Sequence, residues 1–94
     1  MKPLSRRAAR KLLEHVDRWV LARNGEKISK KFRFKDFAEA IHFANHVAVI
    51  AEDEGHHPDL SVGWGRAGVE LSTHAIGGLS DNDFILAAKI DKIA

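Results

Sequence analysis

The sequence predicts an α+β fold, a four-stranded antiparallel sheet with three helices packed on one face, in the order α-β-β-α-β-β-α. Three observations predict it. Two turn signals, at Asn24-Gly25 and around Gly65-Arg66, are each flanked by alternating apolar residues. Between them runs a long stripe of apolar residues at helical spacing, and capped amphipathic segments stand at both ends of the chain.

Ser5 is the expected N-cap of a first helix of roughly three turns, in which Ala9, Leu12, Leu13 and Val16 recur at helical spacing. Arg6, Arg7, Arg10 and Lys11 fall mostly on its wet side. The first hairpin follows, with Asn24-Gly25 read as a type I′ turn because both residues tolerate positive φ. In its second arm Ile28, Lys30, Phe32 and Phe34 share one face, and Lys27, Ser29, Lys31, Arg33 and Lys35 share the other. Asp36 with Glu39 opens the long helix as a capping box would. Its expected stripe is Phe37, Ile41, Ala44, Val47, Ala48 and Ala51, ending near Asp53, with Gly55 as the left-handed cap. "LSVGWGRAGVELST" reads as the second hairpin, with Val62 and Trp64 in one arm and Val69 and Leu71 in the other. "HAIGGL" breaks the pattern. Ser80 with Asp83 then starts a last helix carrying Phe84, Ala87, Ala88 and Ile90.

Ninety-four residues with 45% apolar and 30% charged side chains fit one domain, 1–94, with a modest core. The absence of cysteine excludes disulfides, thiolate zinc sites and thiol nucleophiles. No apolar run reaches the length of a signal-peptide core or a membrane span, so a cytoplasmic protein is expected. Charge is split along the chain. Up to Lys35 there are twelve Lys/Arg against three acids, and from Asp36 onward three against ten. Such a split fits a homo-oligomer docking basic on acidic surface, and it can also mark a nucleic-acid face. The aromatics Phe32 and Phe34 lie on the opposite face from most of the strand cations, so nucleic acid is not expected beyond weak, salt-sensitive association through Lys31, Arg33 and Lys35.

The chemistry concentrates in "AEDEGHHPDL", where His56 and His57 follow the long helix and Pro58 forces His57 toward extended geometry. A hairpin turning at Gly65-Arg66 sets His74 opposite positions 57–61, so three imidazoles are expected at one end of the sheet. Imidazoles exchange protons near neutral pH, which suits general acid–base catalysis. Glu52, less than a turn before Gly55, is placed to orient one ring. Three histidines also form a usual zinc set, but adjacent residues on an extended segment point to opposite sides, which suits two pocket walls better than one metal. His42 and His46, spaced i, i+4 with Glu39 a turn earlier, form another ligand pair with no further ligand evident. His15 reads as surface.

"FKDFAEAIHFANHVAVIAEDEGHHPDL" and "STHAIGGLSDNDFILAAKID" resemble the pterin-4a-carbinolamine dehydratases (4a-hydroxytetrahydrobiopterin dehydratases) from about Phe32 to Ala94. The specific part is Glu52, His56-His57-Pro58 and Ser72-Thr73-His74, then Gly78-Leu79 and Asp83. Trp64-Gly65 and the Asn82–Phe84 stretch are similar to bacterial members. The resemblance implies an active site of His56, His57 and His74, with Glu52, Pro58, Ser72 and Thr73 in substrate binding. It implies loss of water from a pterin-4a-carbinolamine to give quinonoid dihydropterin, with no metal and no cofactor. It also implies a dimer or tetramer, and a functional link to an aromatic amino acid hydroxylase whose tetrahydropterin is recycled. Animal members carry a basic residue where this chain has Asp81 and Asn82, so that cation's role is not carried over. Their second role with a homeodomain transcription factor matches no motif here. The alternatives are a non-catalytic interaction or regulatory module on the same fold and a basic nucleic-acid-binding domain.

Overall fold

A computed structural model describes residues 2–94. The elements are α1 (Arg6–Leu13), β1 (Val20–Leu21), β2 (Ile28–Arg33), α2 (Phe37–Glu54), β3 (Asp59–Gly63), β4 (Arg66–Leu71) and α3 (Asp81–Ile93), with a 3₁₀ turn at His74–Ile76. The four strands form one antiparallel sheet in the order β1-β2-β4-β3, so the expected α+β architecture holds. Among the described residues no helix is long and apolar enough to cross a membrane.

Pleating puts Ile28, Lys30 and Phe32 of β2 beside Leu71, Val69 and Ala67 of β4 on a single face. That face joins Phe43 and Val47 of α2, Phe84, Leu86, Ala87 and Ile90 of α3 and Ala9 of α1 in one apolar cluster. Trp19, Phe32, Phe43 and Phe34 line up through it, with ring centroids 6.2, 4.6 and 5.0 Å apart. Offset and edge contacts of this kind stabilise beyond the apolar area they bury. Lys30 is the misfit on this face. Its Nζ donates to Asp91 Oδ1 at 2.8 Å and lies 4.8 Å from the Phe32 ring centroid, so the ammonium is paired rather than stranded.

Three local expectations are corrected. The first hairpin has no type I′ turn: Gly25 alone is left-handed (φ 74°), Gly25 N–H donates to Ala22 O, and Asn24 Oδ1 instead accepts from Glu26 N–H at 2.9 Å. An Asn that caps its own turn gains a hydrogen bond without taking positive φ. The buried stripe of α2 is Ala40, Phe43, Val47 and Ala51, while Phe37 and Ala48 face out. The sheet presents its aromatics on one side only, and α2 rotates to put Phe43 on them. Finally, α1 spans eight residues, its N-terminus capped by Ser5 Oγ accepting from Ala8 N–H at 3.1 Å.

Candidate active site

The second hairpin turns one residue earlier than the sequence implied. Gly63 pairs with Arg66, and Trp64-Gly65 form the loop with positive φ only at Gly65 (69°), the type II pattern. Continued, this register sets His74 opposite Gly55 rather than opposite 57–61. His74 in fact leaves the ladder. Thr73 and Gly78 form an isolated antiparallel bridge, Thr73 N–H to Gly78 O at 2.7 Å, and His74 opens the short turn between them. The expected pairing of His74 with 57–61 is therefore not formed, and a different contact ties the His56 loop to Thr73, the residue before His74.

That contact is Asp83. The end of α2 delivers the first histidine: Gly55 is left-handed (φ 62°), its N–H reaches Glu52 O, and His56 N–H reaches Ala51 O at 3.1 Å. This is a Schellman cap, and it fixes where the His56 backbone leaves the helix. The His56 side chain is 13% exposed and its Nε2 lies 2.5 Å from Asp83 Oδ1. Asp83 is fully buried in the first turn of α3. Its Oδ2 accepts from Ser80 N–H at 3.0 Å, the returning half of a capping box, and from Thr73 Oγ1 at 2.9 Å. Thr73 Oγ1 and Ser80 Oγ are 2.7 Å apart. One carboxylate thus holds the His56 loop against the segment that carries His74.

His57 turns the other way. Its Nε2 bonds Glu52 Oε2, and both side chains are largely exposed. The adjacent rings thus have different partners, Asp83 for His56 and Glu52 for His57. Pro58 and Ser72 are half-buried beside these groups, and His74 is exposed. From sequence, Asp83 reads as a helix-capping residue and as one of the residues that carry the family resemblance, with no contact to His56 expected. The sign that was available is its place in the "SDND" start of α3, because a buried acid in a helix's first turn keeps an oxygen free for a second partner.

The other candidates do not join this cluster. His42 and His46 are exposed on α2 with ring centroids 5.4 Å apart, and Glu39 Oε1 is taken by Lys35 N–H at 3.1 Å. Among the described residues no group of three or more His, Asp or Glu is arranged to hold a metal ion. A concavity of about 930 Å³ lies over the open sheet face, lined by residues including Lys31, Arg33, Asp59 and Gly68. A second of about 490 Å³ lies against α2 near His42 and His46. Neither is lined by His56, His57 or His74.

The α+β frame sets His56 on the buried Asp83 carboxylate and His57 on Glu52, while His74 stays exposed just beyond Thr73. The sequence matches the Pterin 4 alpha carbinolamine dehydratase family over residues 2–93, and the chain belongs to that family. It is 51% identical over 92 residues to a provisionally named pterin-4-alpha-carbinolamine dehydratase of Methylococcus capsulatus, covering 98% of this chain and 81% of the relative. Its structure is similar to that of a transcriptional coactivator/pterin dehydratase from Brucella melitensis, with TM-score 0.92, 32% identity and 99% of both chains covered. A pterin dehydratase-like RuBisCO assembly factor of the alpha-carboxysome shares the fold, with TM-score 0.71, 22% identity and 85% and 93% coverage.

Proposed function

We propose that this chain, as a single 1–94 domain, is a hydro-lyase that dehydrates 4a-hydroxytetrahydrobiopterin to quinonoid dihydropterin. The observation that carries the reading is His56 on buried Asp83, tied through Thr73 to the turn bearing His74, in a member of the dehydratase family. The reaction removes a hydroxyl from C4a and a proton from N5 of one ring. It needs a proton delivered to the leaving oxygen and a base at the nitrogen, and the N5 lone pair supplies the push that breaks the C–O bond. Imidazoles on two different segments suit these two tasks, and positioned acid–base groups contribute about 10²–10⁴-fold. His56 and His74 are assigned to flank the hydroxyl and share the acid and base tasks, and His57 with Glu52, Pro58, Ser72 and Thr73 to the walls of the pterin pocket. No metal and no redox cofactor enters the scheme.

The wider reading is a cytoplasmic homodimer or homotetramer that returns quinonoid dihydropterin for reduction in the service of an aromatic amino acid hydroxylase. Exposed apolar side chains Phe37, Val49, Leu60 and Ile85 support self-association. The runner-up is a non-catalytic interaction or regulatory module on the same fold. One assay separates them: freshly generated 4a-carbinolamine, with and without a chelator. Dehydration well above the spontaneous rate in both arms is expected. No acceleration would overturn the enzyme reading, and loss with chelator reversed by zinc would overturn the metal-free one.

A further inference from the structure

We propose that Asp83 is a positioning residue that fixes His56 as the Nε2–H tautomer, so that Nδ1 is the ring atom offered to substrate. The donors around one carboxylate decide the tautomer, and the kinetic consequence rests on the dehydratase reading above. A carboxylate only accepts hydrogen bonds. Ser80 N–H donates to Oδ2, and the Thr73 hydroxyl spends its single proton on the same oxygen. The 2.7 Å contact between Thr73 Oγ1 and Ser80 Oγ must then be donated by Ser80. What remains is Oδ1, 2.5 Å from His56 Nε2, and that proton comes from the ring. With Nε2 committed, the neutral ring carries its lone pair on Nδ1.

His56 therefore enters the reaction as a proton acceptor at Nδ1. In the balanced step Nδ1 takes the proton from N5, and the N5 electron pair forms the bond to C4a. The C4a–O bond breaks, and the hydroxyl leaves as water with a proton delivered by His74. The positive charge that builds on the His56 ring is met by the Asp83 carboxylate behind it. Two hydrogen bonds anchor Oδ2, so the carboxylate cannot swing away from its task. His57 differs in kind, because its carboxylate partner Glu52 is solvent-exposed and unanchored.

The network also dictates what Asp83→Asn does. The amide oxygen must take the Oδ2 position, since Ser80 N–H and the Thr73 hydroxyl both donate there. The amide NH₂ then faces His56 Nε2 and forces the opposite tautomer. Two-bond ¹H–¹⁵N correlation spectra of the wild-type protein, at a pH where His56 is neutral, should show the Nε2–H pattern, and Asp83→Asn should show Nδ1–H. In the dehydration assay Asp83→Asn should lower kcat by about 10²-fold or more with KM changed less than about threefold. Thr73→Val, which leaves the carboxylate in place, should keep the wild-type tautomer. Wild-type His56 in the Nδ1–H form would overturn the inference whether or not the enzyme reading survives. So would an Asp83→Asn variant with the Nε2–H pattern or near wild-type kcat. A wild-type protein that shows the Nε2–H pattern but no dehydration would sink the proposed function and leave the role of Asp83 standing.

Discussion

Two of the three carboxylates of helix α3, Asp83 and Asp91, stand eight residues apart, and each gathers donors from distant parts of the chain. Asp91 accepts from Trp19 Nε1 at 3.0 Å, Lys30 Nζ at 2.8 Å and Asp17 N–H at 3.0 Å. Asp83 accepts from Ser80 N–H, Thr73 Oγ1 and His56 Nε2. The number of donors is alike and the donors are not. Asp91 gathers an indole, a backbone amide and an ammonium, and is a fixed staple between α3, β2 and the loop ahead of β1. Asp83 instead holds one ring that can gain or lose a proton, at the end of the sheet where two loops meet. The same side chain is a staple in one place and, in the proposed reaction, supports proton transfer in the other, and the partner decides which.

The largest effect that tests this contrast is on rate. His56→Ala and His74→Ala should each lower kcat by about 10²-fold or more, while the controls His15→Ala and His42→Ala stay near wild type. Wild-type rates in both site variants would remove the catalytic assignment. The variants should differ in stability. His74 is exposed, so its loss should leave the melting temperature nearly unchanged. His56→Ala strips a donor from a fully buried carboxylate and should cost about 1–3 kcal/mol by denaturant unfolding. Sequence reasoning alone expects neither to affect folding.

Asp91→Ala should reverse the pattern. Breaking a mostly buried pair with Lys30 (side chains 17% and 12% exposed) should cost about 3 kcal/mol, with kcat of the folded protein within about twofold of wild type. A large kcat loss at unchanged stability would break the comparison. Glu52→Gln comes next. It alters an exposed hydrogen bond to His57, so unfolding should shift by less than about 0.5 kcal/mol, and any change should appear mainly in KM. Smallest in its bearing on function is Ser5→Ala, which should cost about 1 kcal/mol through the lost cap on α1 and leave the kinetics untouched.

Much of this protein is legible from local sequence. Alternation marked β2 and its two faces, Asp36 and Gly55 marked the ends of α2, and Ser80 with Asp83 marked the start of α3. These signals work because a cap, a turn or a pleat is decided within a few residues. The family motif also named the histidines and Glu52, and it does so whatever the register. What the sequence left undecided are choices between distant partners. The hairpin register depends on which residue pair closes the Trp64-Gly65 turn, and a shift of one position there moved His74 off its expected opposite. The rotation of α2 follows from where Phe32 and Phe34 stand, which no periodicity within α2 encodes. Asp83 finds His56 across 27 residues and Asp91 finds Trp19 across 72. Local sequence placed a carboxylate at each position on α3. Only the docking of α3 against the sheet and loops decided that one meets an ammonium and the other an imidazole, because a hydrogen bond's partner is set by the shape of the whole core.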